Sequence, residues 1–280
     1  MAALQQVSWR RTRRAAAGAV WKQKHLAMEL SGLPNHPSKN AKLEQYATDG
    51  DIAARWLLGI NVQDTFAEME KGVVDLGAGN GILGIGALLL GAPRVTFVEV
   101  DAAAVDALED ALQAQDLSAR ARVLRCDVAE VADDPDCACD LVLMNPPWGQ
   151  QRRSADRPFL QVSIALARTS VHLMHSAGAV HVEPWAQDHG WQADKWPGCI
   201  AKTCKDVQNL AGMSPNDSDF PKARGKIFAD YAGSKSSFAS IRFHLRQFTE
   251  PARALFLCFL GLYFSPRTDL REHHVGQTPM

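Results

Sequence analysis

Val73-Val74-Asp75-Leu76 runs directly into Gly77-Ala78-Gly79-Asn80-Gly81, and the apolar stretch Ile82 to Leu90 follows at once. A short strand-forming run, a loop with glycine at alternate positions and an apolar helix leave few architectures open. The glycines allow a tight turn and let a ligand approach the backbone. The chain downstream keeps the same alternation. Val95 to Val100 reads as a second strand, and Ala102 to Leu112 as a helix with Asp101 as its N-cap. Arg122 to Leu124 is a third strand, closing at Cys126-Asp127-Val128, and Asp140 to Met144 a fourth. Short loops in this order predict an α/β fold with a doubly wound, Rossmann-like sheet.

Elements on either side extend this centre. A helix is expected from Val20 to Leu30, stopped by Ser31-Gly32-Leu33-Pro34, and another from Ile52 to Ile60 with Asp51 as cap. Phe159 to His175 reads as one long helix and Ala177 to Val182 as a fifth strand. Residues 184–230 carry no sustained period, whereas Phe238, Ile241, Phe243 and Leu245 mark a late strand within 236–248. The expected organisation is a basic N-terminal extension over 1–40, a core over 41–182, a divergent C-terminal part over 183–248 and an apolar tail over 249–280.

Formal net charge is −1, so no global field points to a polyanion, but the distribution is uneven. Residues 1–28 hold Arg10, Arg11, Arg13, Arg14, Lys22 and Lys24 with no acid, consistent with a basic arm or an organelle transit peptide. The six cysteines form no paired framework, which implies reduced thiols in an intracellular protein and no metal. Ala254 to Phe264 is apolar but too short to span a bilayer, so no membrane partner is expected.

The loop after Asp75 has glycines at 77, 79 and 81, whereas dinucleotide sites more often show G-x-G-x-x-G. With the acid Asp75 ahead of it, this spacing favours S-adenosylmethionine over NAD. Glu99 ends the second strand, where a carboxylate can bind both ribose hydroxyls. Asp127 ends the third, where a carboxylate can accept from an adenine amine while Val128 supplies a backbone N–H. Asp75, Glu99, Asp127 and Asn145 close four successive strands and so predict a single rim.

The fourth strand stops at Asn145-Pro146-Pro147-Trp148. Prolines cannot continue a ladder, so an amide, a rigid elbow and a large ring sit at a strand's carboxyl end. Open α/β sheets bind ligands there. The Asn145 oxygen and the Pro146 carbonyl can draw on the two hydrogens of a planar amine, and Trp148 offers a stacking face.

Taken together these residues resemble the class I S-adenosylmethionine-dependent methyltransferases. More narrowly, Glu44-Gln45-Tyr46-Ala47-Thr48, the Asp75 to Gly81 loop, Cys126-Asp127-Val128 and Met144-Asn145-Pro146-Pro147-Trp148-Gly149 resemble the methyltransferase-like protein 5 family. The similarity runs from about residue 25 to 182. The resemblance implies N6-methyladenosine formation in small-subunit (18S) ribosomal RNA, in the nucleus and cytoplasm. It implies that Gln45 and Thr48 close over the cofactor, and that Gly77, Asn80 and Ile82 line it. It further implies that Glu99 takes the ribose, Asp127 and Val128 the adenine, and Asn145 to Trp148 the target base. Trp148 stands where Phe is usual and Ala47 where Pro is usual. At Tyr231-Ala232-Gly233-Ser234-Lys235 the family's His is replaced by Ser234, and a single Lys of its cluster remains.

The resemblance also implies a heterodimer with a small zinc-binding activator that adds a strand to a sheet edge. Val95 to Val100 is the expected edge, unless it is an inner strand or Ala254 to Phe264 covers the edge in cis. Competing readings are a protein glutamine-N5 methyltransferase, a DNA adenine or cytosine-N4 enzyme, and a non-catalytic scaffold.

Overall fold

A computed structural model of the chain describes residues 21–34, 48–149, 153–196 and 238–245. Gln45, residues 1–20 of the basic arm, the 231–235 segment and the apolar run 254–264 lie outside the described residues. The helices are α1 (Gln23–Ser31), α2 (Gly50–Gln63), α3 (Ile82–Leu89), α4 (Ala102–Ala114), α5 (Arg157–Leu166) and α6 (Val182–Asp188). The strands are β1 (Val73–Leu76), β2 (Val95–Glu99), β3 (Ala121–Arg125), β4 (Cys139–Met144), β5 (Ala167–Ser176), β6 (Trp191–Trp196) and β7 (Phe238–Leu245).

These strands make one seven-stranded sheet in the order β3-β2-β1-β4-β5-β7-β6. The first five in that order are parallel, and β7 runs antiparallel to both β5 and β6. Side chains alternate across the sheet, as the two-residue period of a strand requires. Val73, Phe97, Leu141 and Leu143 join Leu30, Trp56, Leu57, Ile85 and Leu108 in a core formed with α1, α2, α3 and α4. Val74, Leu76, Val98, Val142 and Met144 face the other way, onto Leu160 and Val162 of α5 and Val182 of α6. Helices on both faces explain why the strands read as nearly continuous apolar runs.

The sheet's centre follows the sequence closely, and four details differ. α2 is capped by Asp49, whose carboxylate accepts from the Asp51 and Ile52 amides. Asp51 lies inside the first turn, where it accepts from Gln23 Nε2 at 2.8 Å and pairs with Arg55. The long helix expected over 159–175 is instead α5 followed directly by β5. Ser170 to Met174 are buried between β4 and β7, and such a run cannot be told from a buried helix by period alone. The strand expected over 177–182 is a turn leading into α6, where Pro184 occupies the first turn and its missing N–H costs nothing.

Lastly, β2 is an inner strand between β1 and β3. It is therefore not the edge; among the described residues β3 and β6 are the edges.

A buried polar network ties the C-terminal end of α2 to the sheet. Asp64 accepts from His172 Nε2 at 2.7 Å, Ser170 Oγ at 3.1 Å and Arg242 Nη2 at 2.8 Å. Trp56 Nε1 donates to Ser240 Oγ at 2.7 Å. Thus α2 grips β5 and β7 together. Burial would raise the Asp64 carboxyl, but the hydrogen bonds from His172 and Ser170 and the charge of Arg242 outweigh it and hold it at about 2, while burial lowers the His172 imidazole and disfavours its charged form.

Candidate active site

The β1 register fixes the geometry of the rim. Leu76 pairs with Val98 on one side and Met144 on the other, so the glycine loop and the Asn145 elbow leave the sheet next to each other. Glu99 pairs with Arg125, which brings Asp127 to the far side of Glu99. The sequence therefore placed these strand ends correctly along one edge of the sheet.

Asp75 is 1% exposed. Its Oδ2 accepts from the Gly84 amide in the first turn of α3 at 2.8 Å, while Oδ1 has no partner among the described residues. Burial, reinforced by the charge of Glu99, pushes this carboxyl up to about 7 even though Gly84 opposes the shift. Glu99 is also buried, and both its oxygens are engaged. Oε2 accepts from the Gly79 amide at 2.8 Å, and Oε1 accepts from the Val100 and Asp101 amides at 2.9 Å. One carboxylate thus holds the glycine loop against the end of β2.

Gly77 has φ +70°, and a Cβ there would lie 2.8 Å from the Phe159 ring. Both the backbone region and the close approach call for glycine. Gly81 precedes α3 with φ +79°, and a Cβ would meet Leu108 at 2.2 Å. Asn80 donates from Nδ2 to the Pro34 carbonyl at 2.9 Å and accepts weakly from the Ile82 amide at 3.4 Å. It therefore ties the segment after α1 to the loop. Asp127 is exposed and forms a capping box with Glu130 around the short 3-10 turn Val128–Val131. Its Oδ1 accepts from the Ala129 amide at 2.9 Å, and Val128 is buried beneath.

On the other side of the rim, Asn145 Nδ2 donates to Thr48 Oγ1 at 3.1 Å. Trp148 Nε1 donates to Asn145 Oδ1 at 3.3 Å. Pro146 is buried while Asn145, Pro147 and Trp148 are partly exposed. The indole of Trp148 is stacked near His175, with ring centroids 6.1 Å apart and planes 18° from parallel. Neither His175 nor its partner Asp156 was singled out by the sequence, because the expected helix over 159–175 hid the strand that delivers His175. Phe159 was missed as a neighbour of Gly77. Val100, an apolar residue 50% exposed beside Glu99, was also passed over.

Sheet order, glycine loop, carboxylate-ended strands and the Asn145 elbow together define a class I methyltransferase. The family model described as Methyltransferase small domain matches residues 47–182. The chain is 32% identical to the rRNA N(6)-adenosine-methyltransferase METTL5 of Danio rerio, over 60% of this chain and 81% of that one. It is 33% identical to the rRNA N(6)-adenosine-methyltransferase Mettl5 of Drosophila melanogaster, over 55% of this chain and 72% of that one. The chain belongs to the METTL5 methyltransferase family. In structure it is similar to a candidate RNA methyltransferase from Pyrococcus horikoshii, at 29% identity and TM-score 0.59, covering 80% of this chain and 98% of that one.

Proposed function

We propose that this protein transfers a methyl group from S-adenosylmethionine to the N6 amine of adenine in RNA, with small-subunit (18S) ribosomal RNA as the target. S-adenosylmethionine supplies an electrophilic methyl group on sulfur. The unpartnered, buried Oδ1 of Asp75 fits an ammonium donor. Glu99 has one acceptor site left, on Oε2, for a ribose hydroxyl, and exposed Asp127 can accept from an adenine amine. Half-exposed Val100 fits the face of a planar ring. Gly77, Gly79, Asn80, Ile82 and Val128 line the same ligand.

The single observation that carries the reading is the Asn145 elbow beside the glycine loop. An exocyclic amine on a base is a poor nucleophile because its lone pair is delocalised. The Asn145 oxygen keeps one lone pair beyond that used by Trp148, and the Pro146 carbonyl offers another acceptor. Two acceptors on the two amine hydrogens push the nitrogen towards a pyramidal, reactive form. The methylated nitrogen is then strongly acidic and gives its proton to solvent without a dedicated base. Trp148 stacks the base, a contact worth roughly 1–3 kcal/mol.

A small zinc-binding activator is the proposed partner, with β3 as its docking edge in place of β2. Among the described residues β3 is an edge strand, and an edge strand can take up an added strand. Work in the nucleus and cytoplasm accords with this role. Incubation with labelled cofactor and total RNA or total protein, followed by nucleoside and amino-acid analysis, tests the reading. Label in N6-methyladenosine of small-subunit RNA is expected; label in protein glutamine, or in neither, would refute it.

A further inference from the structure

Asp156 occupies the N-cap position of α5 but caps nothing there. Its carboxylate turns instead to two imidazoles. Oδ2 accepts from His175 Nε2 at 3.2 Å and from His181 Nε2 at 2.6 Å. A carboxylate 3% exposed and an imidazole 1% exposed thus meet an exposed imidazole at a single oxygen. Three elements converge on this point: the start of α5, the end of β5 and the residue before α6. Burial alone would raise the Asp156 carboxyl, but the two hydrogen bonds outweigh it and hold it at about 2, so it is an anion.

The same three side chains offer atoms within 4.8 Å of one another, a spacing that a metal ion could use. The proton on His175 argues against that use. The Ser176 amide donates to His175 Nδ1 at 2.8 Å, so the neutral ring carries its hydrogen on Nε2 and points it at Asp156. A metal on Nε2 would need that hydrogen on Nδ1, where the Ser176 N–H already sits. The hydrogen-bonded arrangement is self-consistent without an ion.

His175 is also the ring near which Trp148 is stacked, with His181 edge-on to His175 at 5.5 Å. Trp148 in turn donates to the Asn145 oxygen. Contacts therefore run from Asp156 through His175 and Trp148 to Asn145.

We propose that Asp156, His175 and His181 form a positioning triad for Trp148, holding the His175 ring as a fixed platform that sets the indole and, through it, the Asn145 oxygen. The effect on catalysis rests on the reading of Asn145 and Trp148 as the acceptor pocket. The effect on Trp148 does not. Neither His175 nor Asp156 need touch the substrate.

The test labels the full-length chain with 5-fluorotryptophan and follows the Trp148 fluorine resonance, assigned with Trp148→Phe. Asp156→Ala and His175→Ala should shift or broaden that resonance and leave the other tryptophans in place. Methyl transfer should fall about ten- to a hundredfold in kcat/KM for RNA, as misplacement of an acceptor group by an ångström does. Cofactor Kd should stay within about twofold, since the glycine loop is untouched. His175→Phe keeps a ring and loses the hydrogen bonds, so it should recover part of both signals. Should Asp156→Ala fail to fold, Asp156→Leu, similar in shape and without an acceptor, supplies the same readout.

An unmoved Trp148 resonance in folded Asp156 and His175 variants would overturn the proposal. So would stoichiometric zinc or manganese retained after dialysis and lost in His181→Ala. A Trp148 resonance that moves while no RNA is methylated would uphold the triad and refute the acceptor reading.

Discussion

Asn145 and Thr48, separated by 97 positions in the chain, are joined by a hydrogen bond of 3.1 Å from the amide nitrogen to the hydroxyl. The bond fixes which way the Asn145 amide faces. Its nitrogen is turned to Thr48 and its oxygen to Trp148, so the oxygen is the end left to act on a substrate amine. Thr48 is expected from the resemblance to close over the cofactor; in the structure its hydroxyl accepts from the Asn145 amide, which also suits it to orient the elbow.

Thr48→Val should therefore lower kcat rather than weaken cofactor binding. One neutral hydrogen bond is worth about 0.5–1.5 kcal/mol, which corresponds to roughly two- to tenfold in rate. Thr48→Ser should retain most activity. A rise in cofactor Kd with kcat unchanged, measured by calorimetry beside steady-state kinetics, would return Thr48 to the cofactor side.

Glu99→Ala should weaken cofactor binding more than a ribose contact alone would imply. The side chain also receives the Gly79, Val100 and Asp101 amides, so its loss releases the loop. A hydrogen bond to a charged group contributes about 1.5–3 kcal/mol, and more than one is removed. Hydrogen exchange at Gly79 should accelerate in the same variant. Unaltered cofactor affinity would move the ribose contact to Asp101.

The sheet centre was legible because its signals are local. Glycines at 77, 79 and 81, the Asp101 cap and the prolines after Asn145 each act within a few residues. The carboxylate rim was legible because parallel strands in a doubly wound sheet present their carboxyl ends on one edge. What stayed hidden depends on distant partners. β5 is buried on both sides, which erases the period that separates strand from helix. The inner place of β2 is a matter of strand order, which its own residues do not encode. The Asp156–His175–His181 group was invisible because its members lie on three elements, two of which were assigned to the wrong type.

Asp75 gives a pH dependence of definite sign. Its carboxyl is raised from 3.8 to about 7 in the folded chain, so the folded state binds the proton more tightly than the unfolded state. The stabilisation is complete below the unfolded value and is lost as pH rises through about 7. Asp75→Asn should flatten urea-unfolding stability across this window. If Asp75 receives the cofactor ammonium, affinity should strengthen as pH rises towards neutrality, with proton release seen by calorimetry in buffers of different ionisation enthalpy. Pure pH independence of both would contradict the assignment.

Asp64 has the opposite sign. Its carboxyl is depressed to about 2, so its contribution is present above 3.8 and lost as pH falls through about 2. Asp64→Ala leaves Arg242 and His172 facing a buried gap, a change that costs about 3–5 kcal/mol when a buried pair is broken. Chemical denaturation at neutral pH measures it. A loss below about 1 kcal/mol would place this network among weakly contributing surface pairs.

The central claim is that the Asn145 oxygen prepares an adenine amine for methylation. Purified small-subunit ribosomal RNA is incubated with cofactor and either the unaltered chain or Asn145→Ala, and the nucleosides are quantified by mass spectrometry beside cofactor affinity. The unaltered chain should form N6-methyladenosine. Asn145→Ala should lose about 2.7–4 kcal/mol of transition-state stabilisation, or roughly a hundred- to a thousandfold in rate, with cofactor affinity retained. N6-methyladenosine formed equally well by Asn145→Ala, or affinity and activity lost in equal measure, would contradict the account.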